Sequence, residues 1–206
     1  MNSMKTNKAF YIYILVLILL LTSCKSWDRA AAMKTEKAPF NPKLLTCQVE
    51  IQGEDIEERA FKKEERQLFL GEVENNISDP FGDKYGYIEL YRTLEEGYLG
   101  LMPWILINAP LFQLPLLFGV PMSKPRIKVS YEVRVYNSNR RLLGKYEGHG
   151  ESKSKIAAYH GYNFHDAFMK IFTESASQAF QEIREQMREN VNDLNKGLQE
   201  SGKISN

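Results

Sequence analysis

The chain has 206 residues, and its 27 lysines and arginines nearly balance its 26 aspartates and glutamates. This balance excludes the basic excess on which nucleic-acid binding depends. The length suits one ordinary domain with a core of its own, and the 12% aromatic content supplies large side chains for that core.

The N-terminal segment has the three parts of a secretory signal peptide. Two lysines make residues 1–8 basic, residues 9–21 form an uncharged apolar run, and Thr22 and Ser23 are small. A basic start, a short apolar core and a small-residue exit are typical of a cleaved export signal. The alternative is an uncleaved membrane anchor in which the next residue, Cys24, has no special role.

The residues Leu21-Thr22-Ser23-Cys24 resemble the lipobox of bacterial lipoproteins, which reads leucine, small, small, cysteine. The resemblance covers the first 24 residues. It implies that signal peptidase II removes residues 1–23 and that the thiol of Cys24 carries diacylglycerol. A third acyl chain usually joins the new amino group. No cofactor is expected besides this covalent lipid.

Lys25, which follows the lipid-bearing cysteine, favours an address at the outer membrane. In enterobacterial lipoproteins an aspartate at this position favours the inner membrane, so its absence indicates an outer-membrane protein that faces the periplasm. An acylated Cys24 also leaves Cys47 without a partner, which excludes a disulfide scaffold. Residues 24–43 show no sustained period and are predicted to be a lipidated tether.

Residues 44–196 are predicted to form a single α+β domain. Alternation of apolar and polar residues predicts strands, and apolar residues at steps of three and four predict amphipathic helices. The predicted elements are a strand over 45–52, a helix over 55–78, a turn at 79–82, strands over 84–92 and 126–136, a turn at 137–140, a strand over 142–151 and a helix from 164. Cys47 falls on an apolar face and is expected to act as a small buried hydrophobe.

The order β-α-β-insert-β-β-α predicts two layers, a mainly antiparallel four-stranded sheet with two helices on one face. Gly148 and Gly150 share one face of the last strand, where interior glycines indicate close packing, as by a crossing helix. Asn163 is the expected N-cap of the last helix. Two glycines within residues 197–206 indicate a flexible tail.

The hairpin that feeds a C-terminal helix, together with the lipidated start, resembles periplasmic accessory lipoproteins that assemble envelope structures. These are the assembly lipoproteins for lipopolysaccharide, curli secretion and penicillin-binding-protein activation. The resemblance concerns the order of elements and no specific motif, so it carries over no residues.

No residue pattern in the chain predicts catalysis. His149, His160 and His165 lack the fixed short spacing of a zinc site, and they are expected to be solvated or to cap a helix. No serine lies in the strand-turn-helix setting of a nucleophile elbow. The sequence therefore predicts a protein that is not an enzyme and holds no metal.

Tyrosine and arginine gather on the predicted outer face of the sheet, the face without helices. This combination is typical of protein interfaces, although tyrosine also fits a pleated surface for structural reasons alone. The candidate partner-binding residues are Tyr85, Tyr87, Tyr91, Arg134 and Tyr136.

Residues 98–122 form an uncharged apolar insert that four prolines interrupt. The insert is long enough to span a bilayer as a helix, but each proline removes a backbone donor, and a single crossing would separate strands of one sheet. The preferred interpretation is a shallow hairpin or loop that dips into one leaflet; the others are packing onto the domain or a partner, and a true span. The candidate membrane- or partner-contacting residues are Tyr98, Leu101, Trp104, Ile105, Leu106, Leu111, Phe112, Leu114, Leu116, Leu117 and Phe118.

These features predict a lipid-anchored protein of the bacterial cell envelope that acts by binding, in an accessory or assembly role. Its expected partners are the membrane and an envelope protein, and not nucleic acid. The rival interpretation is a carrier of a lipid or other small ligand, which would need a large cavity lined by the insert. A filled core with an exposed apolar patch would instead favour membrane or partner contact.

Overall fold

The computed structural model describes residues 37–52, 61–101, 121–157 and 163–204. The strands of this part are β1 (Cys47–Ile51), β2 (Gly86–Tyr98), β3 (Arg126–Asn137) and β4 (Leu142–Lys153). Its helices are α1 (Lys62–Glu72), which continues into a π-helical turn (Val73–Ile77), α2 (Phe164–Glu189) and α3 (Val191–Ser201).

The four strands lie side by side in the order β1-β2-β3-β4. β1 is parallel to β2, and the other two pairs are antiparallel. A parallel pair needs a crossover connection, and α1 lies in the connection between β1 and β2. The predicted α+β class and its mainly antiparallel sheet are thereby confirmed.

The inner face of the sheet carries the hydrophobic core. Five inward-facing residues of β3 are each at most 2% exposed, because every second residue of the strand is apolar. The five are Ile127, Val129, Tyr131, Val133 and Val135. α2 covers them and stacks the Phe180 ring on the Tyr131 ring, with centroids 4.8 Å apart. Phe69 of α1 joins the same cluster and lies 5.6 Å from Phe180, measured between ring centroids.

α2 approaches β4 closely where that strand has glycine. A Cβ added at Gly150 would lie 1.8 Å from the carbonyl oxygen of Ser175, and one at Gly148 would lie 2.1 Å from that of Ala179. The hydroxyl of Ser175 lies 3.1 Å from the Ile127 carbonyl oxygen of β3 and 2.7 Å from the Ile171 carbonyl oxygen of its own helix, so its single proton can be donated to either. The prediction that a helix crosses the glycine face is confirmed.

α2 begins at the predicted cap. The side chain of Asn163 accepts a hydrogen bond from the backbone N–H of His165 at 3.1 Å, which satisfies one of the free donors of the first turn. Asp166 follows in that turn, where its negative charge interacts favourably with the positive end of the helix dipole.

The C-terminal helical region continues beyond its predicted end. α3 places Leu198 in the core with no exposed surface. The predicted flexible tail over 197–206 is therefore wrong as far as Ser201, where α3 ends. A Cβ at Gly197 would lie 2.8 Å from the side chain of Leu143, so this glycine marks a close contact and not a frayed end.

β2 runs to Tyr98, beyond its predicted end at Arg92. The register between β2 and β3 shifts at Thr93, which forms a bulge. The hydroxyl of Thr93 donates to the carbonyl oxygen of Ser130 at 3.0 Å. A bulge interrupts the alternation of apolar and polar residues by which a strand is recognised in the sequence. This interruption explains why the predicted end of β2 came too early.

The described part of the predicted tether is docked on the domain. The N–H of Ala38 donates to the side-chain oxygen of Asn76 at 2.8 Å, and the N–H of Phe40 donates to the Asn76 carbonyl at 2.8 Å. Phe40 is 4% exposed, and the guanidinium of Arg188 lies 5.9 Å from its ring centroid. Residues 37–43 therefore belong to the domain, whereas residues 1–36 lie outside the part described.

Candidate functional site: the outer face of the sheet

The outer face of the sheet, the side away from the helices, has two halves. The hairpin half lies beside the turn between β3 and β4, and the insert half lies where β2 ends and β3 begins. The hairpin half is defined by Tyr87, Glu89, Tyr91, Glu132, Arg134, Tyr136, Arg140 and Lys145. The insert half is defined by Arg126, Lys128, Ser130, His149, Glu151 and Lys153.

Four of the five predicted partner-binding residues come together on the hairpin half. Tyr87 pairs in register with Tyr136, and the guanidinium of Arg134 lies 4.3 Å from the ring centroid of Tyr91. Tyr85 is the exception, because it precedes β2 and packs, half-buried, against the hydrophobic core. That this half binds a partner stays a prediction.

Arg140 reaches back from the hairpin turn over the hairpin half. Its backbone is left-handed, with a φ of 60°. Its guanidinium lies 3.6 Å from the ring centroid of Tyr87, where the negative face of the ring attracts the cation. The same group pairs with Glu50 at 2.9 Å and with Glu89 at 2.7 Å. One side chain therefore links the turn to β1 and β2.

Two carboxylates of the hairpin half are nearly buried and hydrogen-bonded. Glu89 is 5% exposed and accepts the hydroxyl of Tyr91 at 2.5 Å, a bond that raises the pKa of this tyrosine. Glu132, also 5% exposed, accepts from Lys145 and from Arg134. Burial alone would raise the pKa of Glu132, but these two hydrogen bonds outweigh it and lower the pKa. The charges of this half are therefore matched and held in place by contacts within the domain.

The charges of the insert half are only partly matched. Arg126 forms an ion pair with Glu151, and this hydrogen bond lowers the pKa of the carboxyl. Lys128 is half-buried and Lys153 is exposed, and neither makes a hydrogen bond or ion pair with another described residue. The insert half thus keeps two lysines outside any ion pair, although both help to lower the pKa of Glu151, whereas each cation of the hairpin half contacts a carboxylate.

A serine and a histidine meet across β3 and β4 in the insert half. Ser130, which is 8% exposed, places its hydroxyl 2.8 Å from Nδ1 of His149. A shallow, open cavity of about 370 Å³ lies over them. It is lined by Lys128, Val129, Ser130, His149, Gly150 and Glu151.

The two ends of the insert leave the sheet side by side. Tyr98 pairs with Arg126 in the ladder of β2 and β3, and beyond it Leu101 forms an antiparallel bridge with Ser123. A single membrane crossing between Leu101 and Ser123 would separate these paired backbones. The pairing therefore agrees with an insert whose ends emerge together.

The base of the insert exposes large apolar side chains. Tyr98 is 68% exposed, Leu99 is 42% exposed and Leu101 is 57% exposed. The exposed cations Lys124 and Arg126 lie beside them in the chain and in the ladder. The remaining candidates for contact lie outside the described residues: Trp104, Ile105, Leu106, Leu111, Phe112, Leu114, Leu116, Leu117 and Phe118.

The histidines of the described ranges lie apart. His149 is on the outer face. His165 is at the start of α2, and its ring centroid lies 6.4 Å from that of Phe61. His160 falls outside these ranges. Within them no three His, Cys, Asp or Glu side chains are grouped to hold a metal ion. Cys47 is buried with the apolar residues of the core, as predicted, and this burial raises the pKa of its thiol to about 12.

None of the helices in the described ranges is long and apolar enough to cross a membrane.

Sequence reasoning missed Arg140 and the pair formed by Ser130 and His149. The alternation in β3 marks Ser130 as outward-facing, and the same pattern marks His149 on β4. Their meeting depends on the exact register of the two strands, which a shift next to Val135 alters. The left-handed backbone of Arg140 has no signal in the local sequence.

Comparison with known proteins leaves the function open. No family of known proteins matches the chain, and no curated protein matches it. Among solved structures, it is similar to a candidate lipoprotein from Caulobacter crescentus CB15, with 11% sequence identity and a TM-score of 0.44. The match covers 70% of this chain and 90% of that one. A likeness at this level says nothing about what the chain binds.

Proposed function

We propose that this chain is a bacterial lipoprotein, held by acyl chains on Cys24, that acts by binding in the cell envelope and not by catalysis. We place it at the outer membrane, facing the periplasm, in an accessory or assembly role. The observation that carries the proposal is the base of the insert, where Tyr98, Leu99 and Leu101 are exposed. Exposed apolar groups that adjoin one another are typical of membrane or protein contact.

The geometry of the insert supports a second membrane contact besides the lipid anchor. Its two ends emerge together, so residues 102–122 must leave and return at one end of the sheet. Each arm then has about eleven residues, about half of the twenty or so that a spanning helix needs. Lys124 and Arg126, both exposed at this base, are suited to lipid headgroups.

The hairpin half supports the proposed envelope partner. Arg134 and Arg140 are already held over tyrosine rings, so little side-chain freedom would be lost when a partner binds. Tyrosine and arginine are the residues that most often dominate such contacts.

The described interior favours this proposal over a small-ligand carrier. The space between the sheet and the helices is occupied by one cluster of buried apolar side chains. The cavity over Ser130 and His149 is shallow and open, whereas a lipid carrier needs an enclosed apolar one.

The anchor is tested by labelling cells with radioactive palmitate. Cys24→Ala should lose the label, because Cys24 carries the only thiol of the lipobox. It should also accumulate as an uncleaved precursor, because signal peptidase II is expected to cut before the lipid-bearing cysteine. Cys47→Ala is the matched control and should keep the label, since that thiol is buried in the domain. Continued labelling of the Cys24→Ala protein would contradict the proposal.

The membrane contact is tested by cysteines at the two ends of the insert. Glu96→Cys and Lys124→Cys, each in a Cys47→Ala background, are both exposed positions, whereas Ser123 is fully buried and unsuitable. A membrane-impermeant maleimide should label both from the same side. Labelling from opposite sides would contradict the paired base.

A further inference from the structure

The insert half of the outer face carries lysines that the described domain does not neutralise. Lys128 is half-buried on β3 and, like Lys153, makes no ion pair with the described residues. In the hairpin half, by contrast, Arg134, Arg140 and Lys145 each contact a carboxylate. Lys128 acts on Glu151 only through space, without the contact of an ion pair, and a partly buried cation of this kind still attracts an anion that reaches it, because the local dielectric constant is lower than in water.

The pair next to Lys128 adds hydrogen-bond donors. If Nδ1 of His149 carries the proton, it donates to Ser130, and the serine hydroxyl is free to donate elsewhere. If the serine donates to Nδ1 instead, the proton on Nε2 is the free donor. In either arrangement the pair keeps a donor, and Lys128 lies two residues from Ser130 on the same face of the strand.

The carboxylates on the outer face do not cancel its positive charge. Glu151, opposite Lys128 on β4, is held by Arg126. Glu96 lies opposite Lys128 on β2. Arg126, Lys128 and Lys153 together therefore exceed these two carboxylates of the outer face, while a third carboxylate, that of Glu182 on α2, accepts the backbone N–H of His149 at the edge of β4.

The cavity has the form that an anionic group at the end of a larger molecule requires. Its volume is about 370 Å³, which exceeds the space of one tetrahedral anion, and it is open to solvent on the outer face. Its lining combines Lys128, Ser130 and His149 with Val129 and Gly150, and with Glu151, whose carboxylate is paired with Arg126. A phosphate group takes up several donors at once, which this lining offers.

We propose that the cavity between β3 and β4 binds a phosphate group, held by the ammonium of Lys128, the hydroxyl of Ser130 and the ring of His149. The phosphate belongs either to a lipid headgroup or to a soluble phosphate compound. The proposal stands on described residues and goes beyond the lipid anchor and the membrane contact, so neither of them needs to hold for it.

The test is a titration of the full-length lipoprotein in a neutral detergent, with isotopically labelled histidine observed by NMR. The ligands are inorganic phosphate and dihexanoyl phosphatidic acid, and sodium chloride at equal ionic strength is the blank. His149→Gln identifies the signal of this ring. That signal should shift and saturate with phosphate, with the lipid, or with both, and not with chloride.

The variants decide whether the named residues hold the ligand. Lys128→Gln and Ser130→Ala should each weaken binding at least tenfold, about 1.4 kcal/mol. Lys84→Gln is the matched control, because this lysine is exposed just before β2, at the opposite end of the sheet, and should bind as the wild type does. Thermal unfolding of every variant shows that the fold is kept.

The outcomes distinguish a lipid headgroup from a soluble phosphate compound, and they also show whether the proposed phosphate site exists. Similar affinities for the two ligands assign a soluble phosphate compound, and a preference for the lipid assigns a headgroup. The proposal is overturned if neither ligand gives a saturable shift, if Lys128→Gln binds as the wild type does, or if Lys84→Gln weakens binding equally. None of these results changes the palmitate result for Cys24, so the two proposals fail separately.

Discussion

Gly150→Ala tests how closely α2 lies against the sheet. The new Cβ would lie 1.8 Å from the carbonyl oxygen of Ser175, where ordinary contact begins at 3.4 Å. The helix would have to retreat by about 1.6 Å, because a backbone oxygen cannot rotate away as a side chain does. Ser175 has no exposed surface, and its hydroxyl lies within hydrogen-bond distance of the Ile127 carbonyl, so the retreat would also disturb this contact.

The expected loss of stability follows from the cost of overpacking. Insertion of a methyl group into a packed core costs about 1–3 kcal/mol, and contact between two backbones places this site at the upper end. The alanine also reduces the entropy of the unfolded chain, which offsets up to about 1 kcal/mol. A net loss of about 2 kcal/mol lowers the melting temperature of a domain of this size by about 4–8 °C.

Gly97→Ala is the matched control, because a Cβ there would meet nothing within 4 Å. This glycine also lies in a strand, β2, and the change should leave the melting temperature unchanged or slightly raised. Circular dichroism at 222 nm during heating, in a neutral detergent, measures both variants. If the melting temperature of Gly150→Ala equals or exceeds that of Gly97→Ala, α2 does not approach β4 as described.

Three further predictions address the core. Phe172→Ala should lower the free energy of unfolding by about 3–5 kcal/mol, because Phe172 is fully buried and stacks on Phe61 at 4.8 Å; a melting temperature within a degree of wild type would show that the packing is wrong. Leu198→Ala should cost about 2–5 kcal/mol in denaturant unfolding, whereas a flexible tail would show no change. The thiol of Cys47 should resist Ellman's reagent at pH 8 and react after unfolding, because burial raises its pKa to about 12 and so keeps it protonated; rapid reaction of the folded protein would refute the assignment.

Features that depend on neighbouring residues were predicted from the sequence. The alternation in β3, the apolar stripe and Asn163 cap of α2 and the glycine face of β4 appear where they were expected. Each reflects the period of one element or a contact between near neighbours, so a local pattern is enough to reveal it. The lipobox ending at Cys24 is likewise a local pattern, and the lipid that it implies remains to be tested.

Contacts between distant parts of the chain were decided only by the tertiary structure. Phe40 is bound to the π-helical turn by Asn76, and Leu198, which has no exposed surface, packs closely over Gly86 of β2. From its local sequence, each segment resembles a linker or a frayed end. The residues that cover it lie elsewhere in the chain, so the local pattern does not reveal its burial.

The candidate phosphate site has the same origin. Ser130 and His149 each show only that they face outward, and a shift of one residue in the pairing of β3 with β4 would separate them. The register shift next to Val135 and the left-handed backbone that turns Arg140 over Tyr87 both involve residues of more than one strand. The sequence by itself determined which residues face outward, and the packed sheet decided which of them meet.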